Sequence, residues 1–193
     1  QNGSSILFRT RGNPVLWMKD SLNIDSVVIP ETGFYPPVAA DIDRDGNDEI
    51  VLLSQDGHLL SYRFAETGIE AYTPLDIRTG DSAWVGPVLA DVSGTGYVDV
   101  VVPGKNRYYA FDRNGLAALD FPATIDNGRP EQAVITPPIV SDVTGDGHPD
   151  LTAVTVDWFI HTRDITLIYA DSTGTPIDTV DTTYSYSNYF GNL

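Results

Sequence analysis

Three segments of the chain carry oxygen-bearing side chains at a spacing that suits a metal ion. Each has Asp at position 1, an oxygen-bearing side chain at positions 3 and 5, Gly at position 6 and an acid at position 9. The segments are residues 41–49, 91–99 and 142–150, called loops 1, 2 and 3 below. Alternate residues of a tight loop can point inward, so these side chains and the carbonyl of position 7 would surround an ion with oxygen. Calcium takes about six to eight oxygen ligands, and the loops are therefore predicted to bind calcium.

The loops differ in the number of carboxylates that they offer. At the predicted ligand positions, loop 1 has four, loop 3 has three and loop 2 has two. We expect two to three bound Ca²⁺ ions, with loop 2 the weakest site, because fewer charges attract a cation less strongly. The predicted side-chain ligands are Asp41, Asp43, Asp45, Glu49, Asp91, Ser93, Thr95, Asp99, Asp142, Thr144, Asp146 and Asp150. The predicted carbonyl ligands are Asn47, Tyr97 and His148.

Three other interpretations fit the sequence of these loops less well. An EF-hand needs a Glu at position 12 and flanking helices, whereas position 12 is apolar in all three loops and both flanks resemble strands. In loop 2, Asp91-x-Ser93-x-Thr95 also matches a magnesium-dependent adhesion site, but its place in the repeat favours a weak calcium loop. Asp-Gly turns that merely connect strands would leave the recurring acid at position 9 unexplained.

The loops recur at a nearly constant spacing, which predicts a repeated unit. Their first aspartates, Asp41, Asp91 and Asp142, are 50 and 51 residues apart. Each loop is followed by apolar and β-branched runs of period two, separated by Gly-bearing turns, which indicates antiparallel strands. Four short strands in about fifty residues are typical of a β-propeller blade. The constancy of the repeat disfavours the alternative, a β-sandwich with accidental repeats.

The predicted fold class is all-β, a β-propeller segment of about three and a half four-stranded antiparallel blades. The second blade is expected to have its fourth strand at 116–121, and the third blade a longer second turn. Propellers close with about four to eight blades. We therefore expect the rest of a longer polypeptide, or a second copy, to complete the ring. The predicted units are a partial blade of two strands at 1–28, blades at 29–80, 81–131 and 132–183, and the start of another blade at 184–193.

The acidic segments resemble FG-GAP repeats of the VCBS type, which build the propeller head of integrin α chains and occur in many secreted bacterial proteins. Asp142–Leu151 matches the pattern Asp-x-[Asp/Asn]-x-Asp-Gly-x-x-Asp-Leu almost fully, and Asp41–Ile50 matches it with Glu at the ninth place. Asp91–Val100 departs from it at positions 3 and 5. The resemblance covers about residues 33–183. It implies a calcium-bearing propeller outside the cell, secreted or at the cell surface, but no single activity.

The composition narrows the classes of function. The formal net charge is −16, which argues against nucleic-acid binding, since that needs a basic face. The chain has no Cys, which excludes disulfides, thiolate metal sites and cysteine nucleophiles. No apolar run approaches the roughly 18 residues of a membrane-spanning helix, so no membrane span is predicted.

No set of catalytic residues accompanies the loops. The three histidines are isolated from one another, and Gly80-Asp81-Ser82 lacks a partner histidine. The leading hypothesis is a non-enzymatic module for adhesion, surface display or protein–protein assembly, with a protein or glycan ligand. The alternatives are part of a carbohydrate-active enzyme of the polysaccharide-lyase kind and a lectin-like sugar binder. Trp84 and Tyr35, at matching positions between blades, are candidates for exposed ligand-binding aromatics.

Overall fold

The structure of the protein is a computed structural model. It describes residues 4–8, 15–19, 24–29, 31, 33–105, 107–118, 121–124, 132–134, 136–143, 145, 147, 149–159, 162–170 and 176–185.

Within these residues the chain forms seventeen β-strands, one short 3-10 helix at Thr73–Leu75 and no α-helix. No helix in the described part of the chain is long and apolar enough to cross a membrane. The strands are β1 (Ser4–Phe8), β2 (Val15–Lys19), β3 (Ile24–Val28), β4 (Val38–Ala40), β5 (Glu49–Leu53), β6 (His58–Ala65), β7 (Gly68–Ala71), β8 (Ile77–Arg78), β9 (Val88–Ala90), β10 (Asp99–Pro103), β11 (Arg107–Phe111), β12 (Ala123–Thr124), β13 (Gln132–Val134), β14 (Ile139–Ser141), β15 (Asp150–Phe159), β16 (Thr162–Ala170) and β17 (Pro176–Ser185).

The strands form four antiparallel sheets that follow one another along the chain. Their orders are β1-β2-β3, then β4-β5-β6-β7 with β8 also paired to β6, then β9-β10-β11-β12. In the fourth sheet, β13 and β14 both pair with β15, which is followed by β16 and β17. Each acidic loop joins a short edge strand of a sheet to the strand that pairs with it, as β4 to β5 in loop 1. The predicted class, an all-β propeller segment of antiparallel blades, is confirmed, while the number of blades stays a prediction.

Strand β5 explains how neighbouring sheets are held together. All five of its residues are buried, and their alternation directs them to two different clusters. Ile50 and Leu52 pack with Ile29, which follows β3, and so face the first sheet. Val51 and Leu53 pack with residues of β10 and so face the third sheet. Burying a side chain of this size stabilises the fold by about 1.5–3 kcal/mol.

Strand β10 repeats this arrangement one sheet further along. Val100 and Val102 belong to the cluster shared with β5, and Val101 belongs to a cluster with Val134 and Leu151 of the fourth sheet. A strand with consecutive buried apolar residues thus serves two interfaces. The second, third and fourth sheets therefore pack face to face in chain order, as blades of a propeller do.

The first and fourth predicted units differ from the structure in their strands. The first 28 residues contain three strands rather than two, because β3 pairs with β2 along its whole length. In the fourth sheet, β15 and β16 stay paired as far as Phe159 and Thr162, so the predicted longer turn is wrong. Strand β17 runs to Ser185, two residues beyond the predicted end of that blade.

The fourth strand of the third sheet also lies elsewhere than predicted. It is Ala123–Thr124, and the described residues of the predicted region, 116–118 and 121, contribute a single bridge, between Phe111 and Ala117. The reason is the turn that precedes it. Leu116 donates its N–H to the Asp112 side chain and accepts the N–H of Asp112, which closes a tight turn on the edge of β11.

Candidate metal centre

Loop 1 depends on two residues with positive φ. Gly46 has a φ of 95°, as expected for the glycine at position 6. Arg44 at position 4 has a φ of 63°, which is uncommon for a residue with a side chain. Loops 2 and 3 have Gly94 and Gly145 at this position, with φ values of 66° and 76°. The three loops therefore share one left-handed turn at position 4, and only loop 1 places a side chain there.

The aspartate at position 1 makes the same hydrogen bond in all three loops. One of its carboxylate oxygens accepts the backbone N–H of the position-6 glycine, which brings the two ends of the turn together. The donor–acceptor distances are 3.1 Å for Gly46 to Asp41, 2.7 Å for Gly96 to Asp91 and 2.9 Å for Gly147 to Asp142.

The acid at position 9 is a buried acceptor for the backbone of its own loop. Glu49, Asp99 and Asp150 have exposed fractions of 0%, 1% and 0%. One oxygen of each accepts the N–H of position 2, from Ile42 at 2.9 Å, Val92 at 3.0 Å and Val143 at 2.8 Å. The recurring acid thus has a structural role that needs no ion. The inference that plain turns would leave this acid unexplained was therefore wrong.

Loop 1 has carboxylate oxygens beyond those that its own backbone uses. Asp41, Asp43 and Glu49 each place an oxygen within 4.8 Å of the other two. Oδ1 of Asp41 and Oε1 of Glu49 are buried and accept no hydrogen bond. Leaving a buried acceptor without a partner costs about 1–3 kcal/mol, and more when the acceptor is charged. A hard divalent cation is the group that would offset this cost.

The pKa of Glu49 reflects the same cost of burying a charge without a partner. Burial raises the pKa of its carboxyl to about 7, the N–H of Ile42 opposes that rise, and the charges of Asp43 and Asp45 add to it. Charging all the carboxylates of loop 1 at neutral pH therefore costs free energy. Positive charge among them would lower that cost.

The other predicted ligands of loop 1 lie outside this group of three. Asp45 is exposed, and its Oδ1 accepts the backbone N–H of Asn47 at 2.8 Å and its side-chain amide at 3.1 Å. Asp43 accepts the N–H of Asp45 at 3.0 Å, and its Oδ2 lies 3.8 Å from Nη1 of Arg63. Sequence analysis did not anticipate Arg63, because β6 comes next to loop 1 only in the folded sheet.

The comparison with known families concerns this part of the chain. Residues 41–102, from the start of loop 1 into β10, match the family described as FG-GAP-like repeat. This segment is therefore similar to an FG-GAP-like repeat. No curated protein matches the chain significantly. The matched segment includes loop 1, strands β5 to β9 and the whole of loop 2.

In loop 2, the second loop of the matched segment, more of the carboxylate oxygens accept hydrogen bonds from the loop backbone. Both oxygens of Asp91 accept backbone N–H groups, from Thr95 at 3.0 Å and Gly96 at 2.7 Å. Oδ2 of Asp99 accepts from Ser93 at 2.9 Å as well as from position 2. The pKa of Asp99 is raised by burial, and the hydrogen bonds from Ser93 oppose that rise. The Ser93 and Thr95 hydroxyls lie 3.1 Å apart.

Loop 3 lies beyond the matched segment and is described in part. Oδ1 of Asp142 accepts the N–H of Gly145 at 2.6 Å, in addition to its bond from position 6. The predicted ligands Thr144, Asp146 and His148 lie outside the described residues.

The residues considered for catalysis or ligand binding have structural partners. His58 is buried, and its ring nitrogens lie 2.5 Å from Glu31 and 2.7 Å from Asp76. Asp81 accepts the backbone N–H groups of Ser82 at 2.8 Å and Lys105 at 3.1 Å, so it fixes the link between two sheets.

The two candidate aromatics differ in exposure. Trp84 is 46% exposed. Tyr35 is half-buried and donates its hydroxyl to the carbonyl of Ala83 at 2.7 Å. Of the two, only Trp84 offers a largely accessible ring.

Proposed function

We propose that the chain is a calcium-binding β-propeller segment in which loop 1 is the principal site. The observation that carries the proposal is the fully buried Glu49, whose Oε1 has no hydrogen-bond partner and lies among the oxygens of Asp41 and Asp43. The donors are all oxygen, which fits a hard cation such as Ca²⁺. The cation would supply the positive charge that the loop lacks.

The residues of loop 1 have distinct parts in this proposal. Asp41 and Glu49 each use one oxygen to hold the loop backbone and keep the other for the ion. Asp43 contributes the third carboxylate. Because Glu49 begins β5, an ion there would fix the loop to a strand that packs against two neighbouring sheets. Calcium would thereby stabilise the blade interfaces as well as the loop.

The wider role that we propose is an extracellular interaction module for adhesion, surface display or assembly. Extracellular calcium modules bind with dissociation constants of about 0.1–1 mM, which suits a partly exposed loop. Loops 1 and 2 are exposed at their centres, so the side chains there can change without disturbing the packing between the sheets. Binding surfaces on rigid scaffolds are commonly built from such loops. The acidic net charge favours a partner with a basic surface.

The test is calcium titration of the full chain by calorimetry, together with thermal unfolding with and without calcium. Calcium is expected to raise the unfolding temperature. Glu49→Gln should weaken the strongest site about tenfold or more, since it removes a buried ligand charge. Asp48→Asn removes a charge from an exposed position of the same loop and should change the affinity less than about twofold.

A second readout separates cation binding from a purely structural role of Glu49. In calcium-free buffer, Glu49→Gln keeps an acceptor for Ile42 and turns an amide donor towards Asp41 and Asp43. It should therefore unfold at the same or a higher temperature than the wild type. No calcium heat and no calcium-dependent stability in the wild type would overturn the proposal.

A further inference from the structure

Three side chains from separate segments meet where the second and third sheets adjoin. The Cζ atom of Arg44 lies 4.4 Å from the centroid of the Tyr97 ring, and that of Arg113 lies 3.9 Å from it. Arg44 belongs to loop 1, Tyr97 to loop 2 and Arg113 to the turn after β11. These three residues are called the Tyr97 cluster below.

The guanidinium groups of the cluster have unused hydrogen-bond donors. Stacking on an aromatic ring occupies the face of a guanidinium and leaves the N–H groups at its edge accessible. In the described part of the chain, neither Arg44 nor Arg113 lies within salt-bridge distance of a carboxylate. Arg63, Arg78 and Arg107, by contrast, each lie within 4.0 Å of an acid. Two unpaired cations side by side are unexpected on a chain with a net charge of −16.

The backbone conformation of Arg44 is a second indication that its side chain has a function. Its φ of 63° is one that glycine adopts without strain, and the other two loops have glycine there. Loop 1 therefore tolerates a strained residue at a position where Gly would fit better. Backbone strain of this kind persists where the side chain has a use.

We propose that the Tyr97 cluster binds a carboxylate group of a protein partner. Guanidinium edges match the planar carboxylate and bind it through paired hydrogen bonds. The contacts with Tyr97 hold both arginines in place before the ligand arrives, which reduces the entropy lost on binding.

The net charge of the chain favours a protein over an acidic polysaccharide as the partner of the cluster. A chain of charge −16 repels a polyanion, whose many carboxylates cannot all reach two arginines. A partner with one Asp, Glu or terminal carboxylate on an otherwise neutral or basic surface avoids this repulsion. The cluster uses the ring of Tyr97 and two guanidinium groups, and none of the three carboxylates of Asp41, Asp43 and Glu49 that are proposed to hold the ion. It rests on the proposed interaction-module function and extends it by naming what the partner must present.

The test is a titration of the ¹⁵N-labelled full chain, followed by NMR of the arginine Nε–Hε groups. The probe is N-acetylglutamate N-methylamide, and its neutral match is the glutamine analogue. Only the glutamate probe is expected to give saturable shifts at two arginine side chains. Arg44→Gln and Arg113→Gln should each weaken binding about fivefold or more, since each removes charge-assisted hydrogen bonds. Arg78→Gln makes the same change of net charge at a distant salt bridge and should leave binding unchanged.

The titration is run with calcium and in buffer freed of calcium by ion exchange, since common chelators carry carboxylates themselves. Binding in both buffers supports the cluster even if loop 1 proves to bind no calcium. Equal shifts with the two probes, or no saturable shift, would overturn the proposal. The proposal would also be wrong if polygalacturonate bound through the same arginines while the glutamate probe did not bind. The ligand would then be an acidic polysaccharide and not a protein.

Discussion

Glu49 combines two roles in one side chain. Oε2 accepts the N–H of Ile42 and so closes loop 1 onto β5, while Oε1 is buried without a partner. The first role recurs in Asp99 and Asp150 and belongs to the loop as a structure. The second depends on the neighbouring carboxylates of Asp41 and Asp43. The buried acid at position 9 therefore holds the backbone of each loop, and its surroundings in loop 1 make it a candidate ligand.

This environment predicts a pH dependence of the calcium-free protein. The pKa of Glu49 in the folded state is about 7, above its ordinary unfolded value. Its contribution to stability is therefore fully present below the unfolded pKa and is lost as the pH rises through about 7. The loss is on the order of 3 kcal/mol. Urea unfolding at a series of pH values in calcium-free buffer measures it.

The control variants are those of the calcium titration. Glu49→Gln cannot lose this proton, so its free energy of unfolding should fall less over the same pH range. Asp48→Asn is exposed and should follow the wild type. Parallel curves for the wild type and Glu49→Gln would contradict the prediction.

Loops 1 and 2 show how elements of one repeat diverge in chemistry while keeping one backbone shape. Both hold Gly at position 6 with positive φ and both tie position 1 to it. Asp91, however, uses both oxygens for backbone N–H groups, whereas Asp41 keeps a buried one unused. An ion at loop 2 would have to compete with hydrogen bonds that are already made.

Asp41→Asn and Asp91→Asn compare the two loops directly. Each variant keeps an oxygen acceptor for the position-6 glycine and removes one charge. Asp41→Asn is expected to weaken the strongest calcium site about tenfold or more, and Asp91→Asn to leave it within about twofold. Calcium calorimetry of both variants measures the difference. Equal losses would show that the hydrogen bonds within the loops do not rank them.

Strand β5 is the element on which the packing of three sheets depends. Leu52 is fully buried in it, while Leu116 is 65% exposed in the turn after β11. Leu52→Ala should lower the free energy of unfolding by about 2–5 kcal/mol, because it removes buried apolar surface and leaves a cavity. Leu116→Ala should change it by less than about 0.5 kcal/mol. Chemical denaturation in calcium measures both, and comparable losses would contradict the burial of β5.

The whole molecule carries a charge that opposes its own compact state. With 27 acids against 11 basic residues, the folded chain concentrates negative charge that the unfolded chain spreads out. In the described part of the chain, Arg63, Arg78 and Arg107 lie within 4.0 Å of acids and offset part of this charge. Bound calcium would offset it further.

Salt is therefore expected to stabilise the calcium-free protein. Raising sodium chloride from about 0.02 M to about 0.5 M shortens the screening length several-fold and should raise the unfolding temperature by several degrees. In saturating calcium the same change should have a smaller effect, because part of the charge is already neutralised. Thermal unfolding in the two buffers measures this, and an equal or larger salt effect in calcium would contradict it.

The sequence by itself determined the repeat, the all-β class and the three loops, because these depend on local patterns. Strand alternation, turn glycines and the Asp and Gly positions of a loop are encoded within about ten residues, and the positive φ of Gly46 confirms the prediction for that turn. The tertiary structure decided what depends on several segments at once. Only folding shows that Asp41, Asp43 and Glu49 converge while Asp45 turns outward. The contact of Arg44 and Arg113 with Tyr97 likewise joins segments that no local period relates, since it forms only when two sheets pack face to face.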